Sequence, residues 1–526
     1  MDRQRQNRGP GGDRGRNTAE KRGFGGKPVN GGGNRGPRPA GKPGFGGAQG
    51  AKGPNARPYR GSRVVPAGQG RPARPAPARG EVEGLPARRL ALAVIRAVTE
   101  NGAYANQALD AKLTNCGLPQ LDRRLAARLA YDTLEHLLGI DWALNQVMAR
   151  PDTELKLRNV LRLGACQILY EDRIPESAAT NTAVALCKEL GMEGLAGVCN
   201  GILRSLVRMK DHLAWPDPER EPVKALSIRC SVPEWLVARL VADWGDEAEA
   251  IMRWHEEETS VTLRPNLTRH DDAAFEALLE KKVWEREKTD VPYAWRVRHM
   301  ADIGKDSGFL GGDFSIQSES SIMACLAVSP KRGWQVLDAC AAPGGKACLL
   351  AEMMGGTGRV QAWELHEHRT ALIAAQARRL GLENIRPMTR DASKPRPDYV
   401  ESMDAVLLDA PCSGLGVMSG KPDVKYRVTE ESVRELVGIQ RALLDAVAPY
   451  VKRGGVLVYS TCSVLKDENV RQIEAFLERH PEFVIDALPE SIPERFRRHA
   501  DVGLQLLPDR DGVEGFYICR MRRKRL

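Results

Sequence analysis

After Gly333 the chain repeats one pattern: a short apolar run followed by a helical one. The apolar runs are residues 334–339, 359–364, 385–391, 403–409 and 456–460, and helical periodicity fills the intervals between them. Strands separated by helices need crossover connections and so pair in parallel. Residues 311–526 are thereby restricted to an α/β fold, a doubly wound sheet with helices on its faces. Ligands of such sheets bind outside the carboxyl ends of the strands. The residues with useful chemistry fall at those ends.

The first run leads into Asp338-Ala339-Cys340-Ala341-Ala342-Pro343-Gly344-Gly345-Lys346, where paired glycines let backbone amides approach a ligand. A phosphate-cradling loop would need glycine in place of Cys340 and Ser or Thr in place of Ala347, and the spacing of a dinucleotide fingerprint is absent as well. Glu364 ends the second run, about 20 residues on, where a carboxylate accepts hydrogen bonds from both hydroxyls of a ribose. Asp391 ends the third, within reach of an adenine edge. Either acid alone is more often a helix cap or a solvated loop residue. Three successive strand ends bearing a glycine turn, Glu and Asp point to a nucleoside-type cofactor, and the lack of phosphate-binding chemistry favours S-adenosylmethionine. No metal is implied.

The fourth and fifth runs end in Leu408-Asp409-Ala410-Pro411-Cys412-Ser413-Gly414 and Tyr459-Ser460-Thr461-Cys462-Ser463. A buried cysteine is usually a small hydrophobe, a reading that fits Cys166, Cys325 and Cys348 but not two thiols at strand ends. Consecutive strands past the point where the order reverses are normally neighbours, so Cys412 and Cys462 are expected to face one cleft. A thiol of pKa about 8.5 is only slightly ionised at neutral pH, so a nucleophile there needs activation by its surroundings. Two thiols beside a methyl donor suit cytosine, whose carbon 5 becomes nucleophilic only after something adds to carbon 6.

The rest of the chain divides by composition. Residues 1–80 hold 18 of the 78 Lys+Arg, 3 of the 68 Asp+Glu and 21 of the 51 Gly, which leaves 60 basic against 65 acidic residues, a net −5, for the remainder. This tail has too little apolar surface to offset the entropy of ordering and is expected to be disordered. Its interspersed Arg, Phe24, Phe45 and Tyr59 suit phosphate and unpaired bases. From residue 84 to about 212 the periodicity is helical, with Leu90, Val94, Ile95 and Val98 on one stripe, Leu121, Leu125, Leu129, Leu134 and Leu138 on a second, helices across 155–170 and 178–190, and a fifth over 195–209. An all-α domain is expected there. Residues 213–310 read as a connector with a small α+β subdomain that helps hold RNA, including a helix opened by Ser231-Val232-Pro233-Glu234 and alternation around 262–266. None of the eleven cysteines forms a Cys-x-x-Cys pair, and no apolar stretch approaches the roughly 18 residues of a membrane span. A soluble, cytoplasmic protein with reduced thiols is expected.

Two resemblances add to this. Residues 88–95, 121–126, 161–170 and 173–181 resemble the NusB-like RNA-binding domain. Cys340 to Lys346, residues 408–414 with Lys421-Pro422-Asp423, and residues 460–465 with Glu468-Asn469 are similar to the RNA cytosine-5 methyltransferases of the Nop2/Sun/RsmB group. That resemblance implies a Rossmann-like class I methyltransferase domain C-terminal to an all-α NusB-like domain, and the order of the two implies a bacterial enzyme for small-subunit (16S) ribosomal RNA, acting before subunit assembly and without an obligate protein partner. It further implies that Cys340, Ala341, Ala342, Pro343, Gly344, Gly345, Lys346, Glu364, Asp391 and Asp409 contact S-adenosylmethionine, that Cys462 is the nucleophile and that Cys412 promotes product release. The motifs leave open a relative acting on transfer RNA or another RNA, and a catalytically silent RNA-binding assembly factor. Within the pattern, Gln317-Ser318-Glu319-Ser320-Ser321 replaces the family's Gln-Asp segment, and Glu364 stands where Asp is commoner.

Overall fold

A computed structural model describes residues 82–253, 260–298, 300 and 303–525. The basic tail expected over residues 1–80 lies outside them. The described chain begins with seven α-helices: Leu85–Asn101, Ala105–Leu113, Gln120–Glu135, Leu137–Val147, Leu155–Leu169, Glu176–Glu189 and Ala196–Met209. Leu90, Val94 and Ile95 are buried with Leu129, Leu161 and Leu203 in one core, as their spacing implies. The second stripe is two helices rather than one, because the backbone breaks at His136 (φ −99°, ψ 21°). Leu121, at its start, is exposed. The short helix Ala105–Leu113 was not legible in the sequence; it buries only three residues.

Three helices follow, Pro222–Cys230, Glu234–Trp244 and Glu247–Arg253. Next comes an antiparallel sheet of β1 (Ser260–Pro265), β2 (Glu285–Lys288), β3 (Trp295–Arg298) and β4 (Phe314–Ile316) in the order β2-β3-β1-β4. Leu263, Trp295, Val297 and Phe314 of this sheet bury against Phe275 and Leu279 of the helix Asp272–Glu280.

The larger sheet contains β5 (Gln335–Asp338), β6 (Arg359–Glu364), β7 (Ile385–Thr389), β8 (Met403–Asp409), β9 (Val451–Thr461), β10 (Phe483–Ile485), β11 (Leu504–Leu506) and β12 (Phe516–Arg523). Its path is β10-β12-β9-β8-β5-β6-β7, with β11 also on β12. From β7 to β9 every pairing is parallel, whereas β12 runs antiparallel to β9, β10 and β11. Both faces are covered. In β8, Ala405 and Leu407 enter one core while Val406 and Leu408 enter the other, the period-2 division of a doubly packed strand. The order turns back at β5, so the connections leaving β5 and β8 diverge and open a crevice at their carboxyl ends.

Two contacts tie the preceding regions to that crevice. Leu236, Val237 and Leu240 pack with Leu415, Met418, Val464 and Leu465, and Trp244 donates to the Val464 carbonyl at 2.8 Å. The short helix Val424–Arg427 docks on the N-terminal helices: Lys425 Nζ reaches Glu135 Oε1 at 2.7 Å, and Arg427 donates to the Gly102 and Ala103 carbonyls. Lys425 is fully buried. Removing one partner of such a pair costs about 3–5 kcal/mol by leaving a stranded charge, so this junction is a specific one.

Candidate active site

The turn after β5 is built by sterics as much as by hydrogen bonds. Gly344 has φ +114°, and a Cβ there would lie 3.1 Å from the Ile373 Cα, so only glycine lets the helix Gly345–Met353 start at this point. The Ala341 amide donates to the Trp363 carbonyl at 2.8 Å, and Arg369 donates to the Ala342 carbonyl. Pro343 lies between Ala342 and Gly344 in this turn. Lys346 Nζ then meets Asp409 Oδ2 at 2.8 Å, which bridges the ends of β5 and β8. Burial pushes the Lys346 ammonium down, but the charge of Asp409 and its hydrogen bond outweigh that and hold it above the usual lysine value. Burial pushes the Cys340 thiol well up, and the carboxylates of Asp338, Asp409 and Glu364 add to the effect.

Glu364, 4% exposed, ends β6, and its Oε1 accepts from the His366 amide at 3.1 Å and from Arg369 at 3.3 Å. Asp391 lies two residues past the end of β7, because that strand stops at Thr389. Its Oδ1 accepts from the Ser393 hydroxyl (2.6 Å) and amide (2.9 Å), bonds that hold its carboxyl below the ordinary range.

The two thiols meet. Cys412 Sγ and Cys462 Sγ are 3.2 Å apart at the ends of the neighbouring parallel strands β8 and β9, and both are free. This is the shared cleft that strand order implied. The hydrogen bond with Cys412 holds the Cys462 thiol below the ordinary value, against burial and the Asp409 carboxylate and with help from the Lys346 and Lys421 charges. The same hydrogen bond, together with burial, pushes the Cys412 thiol well above it. The two loops are also joined through backbone: the Gly416 amide donates to the Cys462 carbonyl and the Gly515 amide to the Gly416 carbonyl, both at 2.9 Å. A side chain at position 416 would overlap the Gly515 carbonyl.

Two residues were named from sequence only as members of longer motifs, with no role of their own. Asp338, the last residue of β5, is wholly buried, and its carboxylate faces the Cys340 amide with no side-chain partner on either oxygen. Burial, and after it the neighbouring Asp409 charge, pushes its carboxyl up to about 7. The available signal was its place as the strand's final residue before the glycine turn. The second is Gln317, whose Oε1 accepts from the fully buried Arg264 Nε at 2.9 Å and whose Nε2 donates to Ser321 Oγ at 3.1 Å. Arg264 also pairs with Glu352 in the helix after the glycine turn. Ser318 itself makes no side-chain cap to the helix Glu319–Val328.

A parallel sheet with this strand order, an antiparallel strand beyond β9 and a ligand turn at β5 defines the Rossmann-like methyltransferase class. Residues 325–522 match the family of 16S rRNA methyltransferases RsmB/F, residues 85–208 the NusB family, and residues 232–303 the ferredoxin-like domain of RsmF/B-like methyltransferases. The chain is 38% identical over 442 residues to the probable ribosomal RNA small subunit methyltransferase B of Bacillus subtilis, covering 83% of this chain and 98% of that one. It is 31% identical to the ribosomal RNA small subunit methyltransferase B of Escherichia fergusonii, over 77% of this chain and 91% of that one. Among solved structures, PH0851 superposes with a TM-score of 0.71 at 25% identity, over 84% of this chain and 99% of that one. A methyltransferase homologue from Pyrococcus horikoshii gives 0.50 at 26% identity, over 57% of this chain and 99% of that one. The chain belongs to the RsmB/F methyltransferase family and carries a NusB-like region in front of the methyltransferase fold. Among the described residues no helix is long and apolar enough to cross a membrane.

Proposed function

We propose that this protein methylates carbon 5 of a cytosine in 16S ribosomal RNA, in the cytoplasm and before subunit assembly buries the target. The observation that carries the chemistry is the thiol pair, 3.2 Å apart beside the Lys346–Asp409 bridge. S-adenosylmethionine, when bound, supplies an electrophilic methyl group on a cationic sulfur. The residues present fit it: a glycine turn between β5 and the helix that follows, Glu364 for the ribose, Asp391 for the adenine side, and a buried Asp338 with no side-chain partner on its oxygens. Cys340 to Lys346 and Asp409 complete that site.

Cys462, hydrogen-bonded to Cys412, adds as a thiolate to carbon 6 of a cytosine turned out of its stack. The bond formed at C6 moves the ring's electron pair to C5, which takes the methyl group. A base then removes the C5 proton, the C5–C6 double bond re-forms, and the Cys462 sulfur leaves with its electron pair. Cys412, held as a thiol beside that sulfur, assists its departure. The NusB-like region, fixed to the Cys412 side by Lys425, is placed to hold the RNA, as the NusB family match supports.

Bisulfite sequencing of ribosomal RNA from a deletion strain, with and without the gene restored, tests the reading. One cytosine in 16S RNA is expected to lose and regain protection. Protection restored only in transfer RNA would overturn the substrate assignment, and no protected cytosine in any RNA would overturn the activity.

A further inference from the structure

The proposed chemistry does not use Glu468, although its side chain lies at the centre of the thiol loops. It is wholly buried. Its Oε1 accepts from the Ser413 amide at 2.8 Å and from Gln440 Nε2 at 3.0 Å, and its Oε2 from the hydroxyls of Ser413 and Ser463. Ser413 directly follows Cys412 and Ser463 directly follows Cys462. All four contacts are donors, the pattern that suits a carboxylate without a proton. Glu468 is held in turn, since Tyr459 donates to its carbonyl at 2.6 Å, and the adjacent Asn469 accepts from Thr461 Oγ1 and donates to the Ser463 carbonyl. A carboxylate buried with hydrogen-bond donors and, among the described residues, no ion-pair partner is costly to maintain. A neutral amide could not accept at all four points. The arrangement therefore asks for a role that hydrophobic packing would not fill.

We infer that Glu468 is a positioning residue that clamps the two cysteine loops together and keeps the proton of the pair on Cys412, so that Cys462 is the sulfur free to attack. The inference rests on the proposed thiol chemistry. Its physical basis is distance and sign. One carboxylate binds the residue next to each cysteine, which fixes the sulfur separation from both sides. Its negative charge acts on Cys412, where it disfavours the thiolate, while Lys346 and Lys421 act on Cys462 and favour it. The other groups facing the pair are Asp409, whose carboxylate opposes ionisation of Cys462, and the Tyr459 hydroxyl, which is occupied with the Glu468 carbonyl.

The test is pH-dependent alkylation of the full-length protein by iodoacetamide, with each cysteine peptide quantified by mass spectrometry, for wild type, Glu468→Gln and Glu468→Asp. In wild type, Cys462 is expected to react first and at lower pH than Cys412. In Glu468→Gln the preference for Cys462 is expected to fall about tenfold, the equivalent of one pKa unit of lost discrimination, with partial recovery in Glu468→Asp. In steady-state methylation kcat is expected to fall while the KM for S-adenosylmethionine stays within about twofold of wild type, as for a group acting after cosubstrate binding. If Glu468→Gln does not fold, Ser463→Ala removes one leg of the clamp and is expected to shift the same preference in the same direction by a smaller factor. An unchanged order and ratio of alkylation in the folded variants would overturn the inference. The alkylation arm contains no RNA, so a wild-type protein that alkylates in the expected order but transfers no methyl group counts against the proposed function alone.

Discussion

The two halves of the large sheet's carboxyl edge are built on opposite plans. On one side of the turning point, β5, β6 and β7 lead to carboxylates with bonding capacity left over: Asp338 has no side-chain partner, Glu364 accepts from His366 and Arg369, and Asp391 is held by Ser393 alone apart from a distant Lys394. On the other side, β8 and β9 lead to sulfurs in contact, backed by loops joined through Gly416, Gly515 and a shared buried acid. The difference follows from what each half must do. A ligand that binds and leaves needs acceptors not already committed to the protein, whereas bond formation needs a fixed separation and orientation.

Substitutions on the two sides should therefore fail in different ways. The largest effect belongs to the thiol side. Cys462→Ala is expected to lower kcat by about a thousandfold or more, as removal of a nucleophile does, while calorimetric affinity for S-adenosylmethionine changes less than about twofold. A parallel loss of cosubstrate binding would break the division. On the acid side, Glu364→Ala should weaken S-adenosylmethionine binding by about ten- to a hundredfold, the worth of one charged hydrogen bond in a buried setting. Asp391→Ala should weaken it less, because that side chain is 39% exposed and water replaces what is lost. Titration with RNA should show little change for either, and equal losses for both ligands would mean that the assignment is wrong.

A smaller effect sharpens the same comparison through pH. The Asp338 carboxyl, raised to about 7 chiefly by burial, has an unfolded value of about 3.9. The folded state thus binds this proton more tightly, and the stability it contributes is full below about pH 4 and lost as pH rises through about 7. Asn at this position has no proton to lose. The stability of Asp338→Asn relative to wild type should therefore increase from pH 4 to pH 8, by on the order of a few kcal/mol at most. Denaturant unfolding at both pH values measures it, and a difference independent of pH would contradict the burial-raised state of this acid.

Much of this edge was legible because local pattern and topology agree. The apolar runs ending at Glu364 and Asp409 are strands with those limits, and the rule that consecutive strands pair on the far side of the turning point brought Cys412 and Cys462 together. The third run was two residues too long. Arg390 and Asp391 are polar loop residues, and the Arg390 amide still bonds to the Glu364 carbonyl as though the strand continued. What remained hidden depends on distant sequence. Asp338 is buried in a central strand, flanked by Ala362 of β6 and Leu407 of β8, and Lys425 reads as one more exposed cation until Glu135, 290 residues away, is found beside it. The antiparallel strand Phe516–Arg523 is preceded only by the four-residue helix Pro508–Asp511, too short to mark a crossover, and its partner Val451–Thr461 runs through Gly454 and Gly455, which read as a turn.

The central claim is that the two thiols divide addition and release between them, and trapping the covalent protein–RNA complex tests it most directly. Labelled 16S RNA and S-adenosylmethionine are incubated with wild type, Cys462→Ala and Cys412→Ala, and the products are separated on denaturing gels. If Cys462 adds to carbon 6 and Cys412 assists elimination, Cys462→Ala gives neither linked complex nor methylated product, and Cys412→Ala accumulates a linked complex whose cytosine is already methylated. A linked complex in Cys462→Ala and none in Cys412→Ala would reverse the two roles and contradict the account.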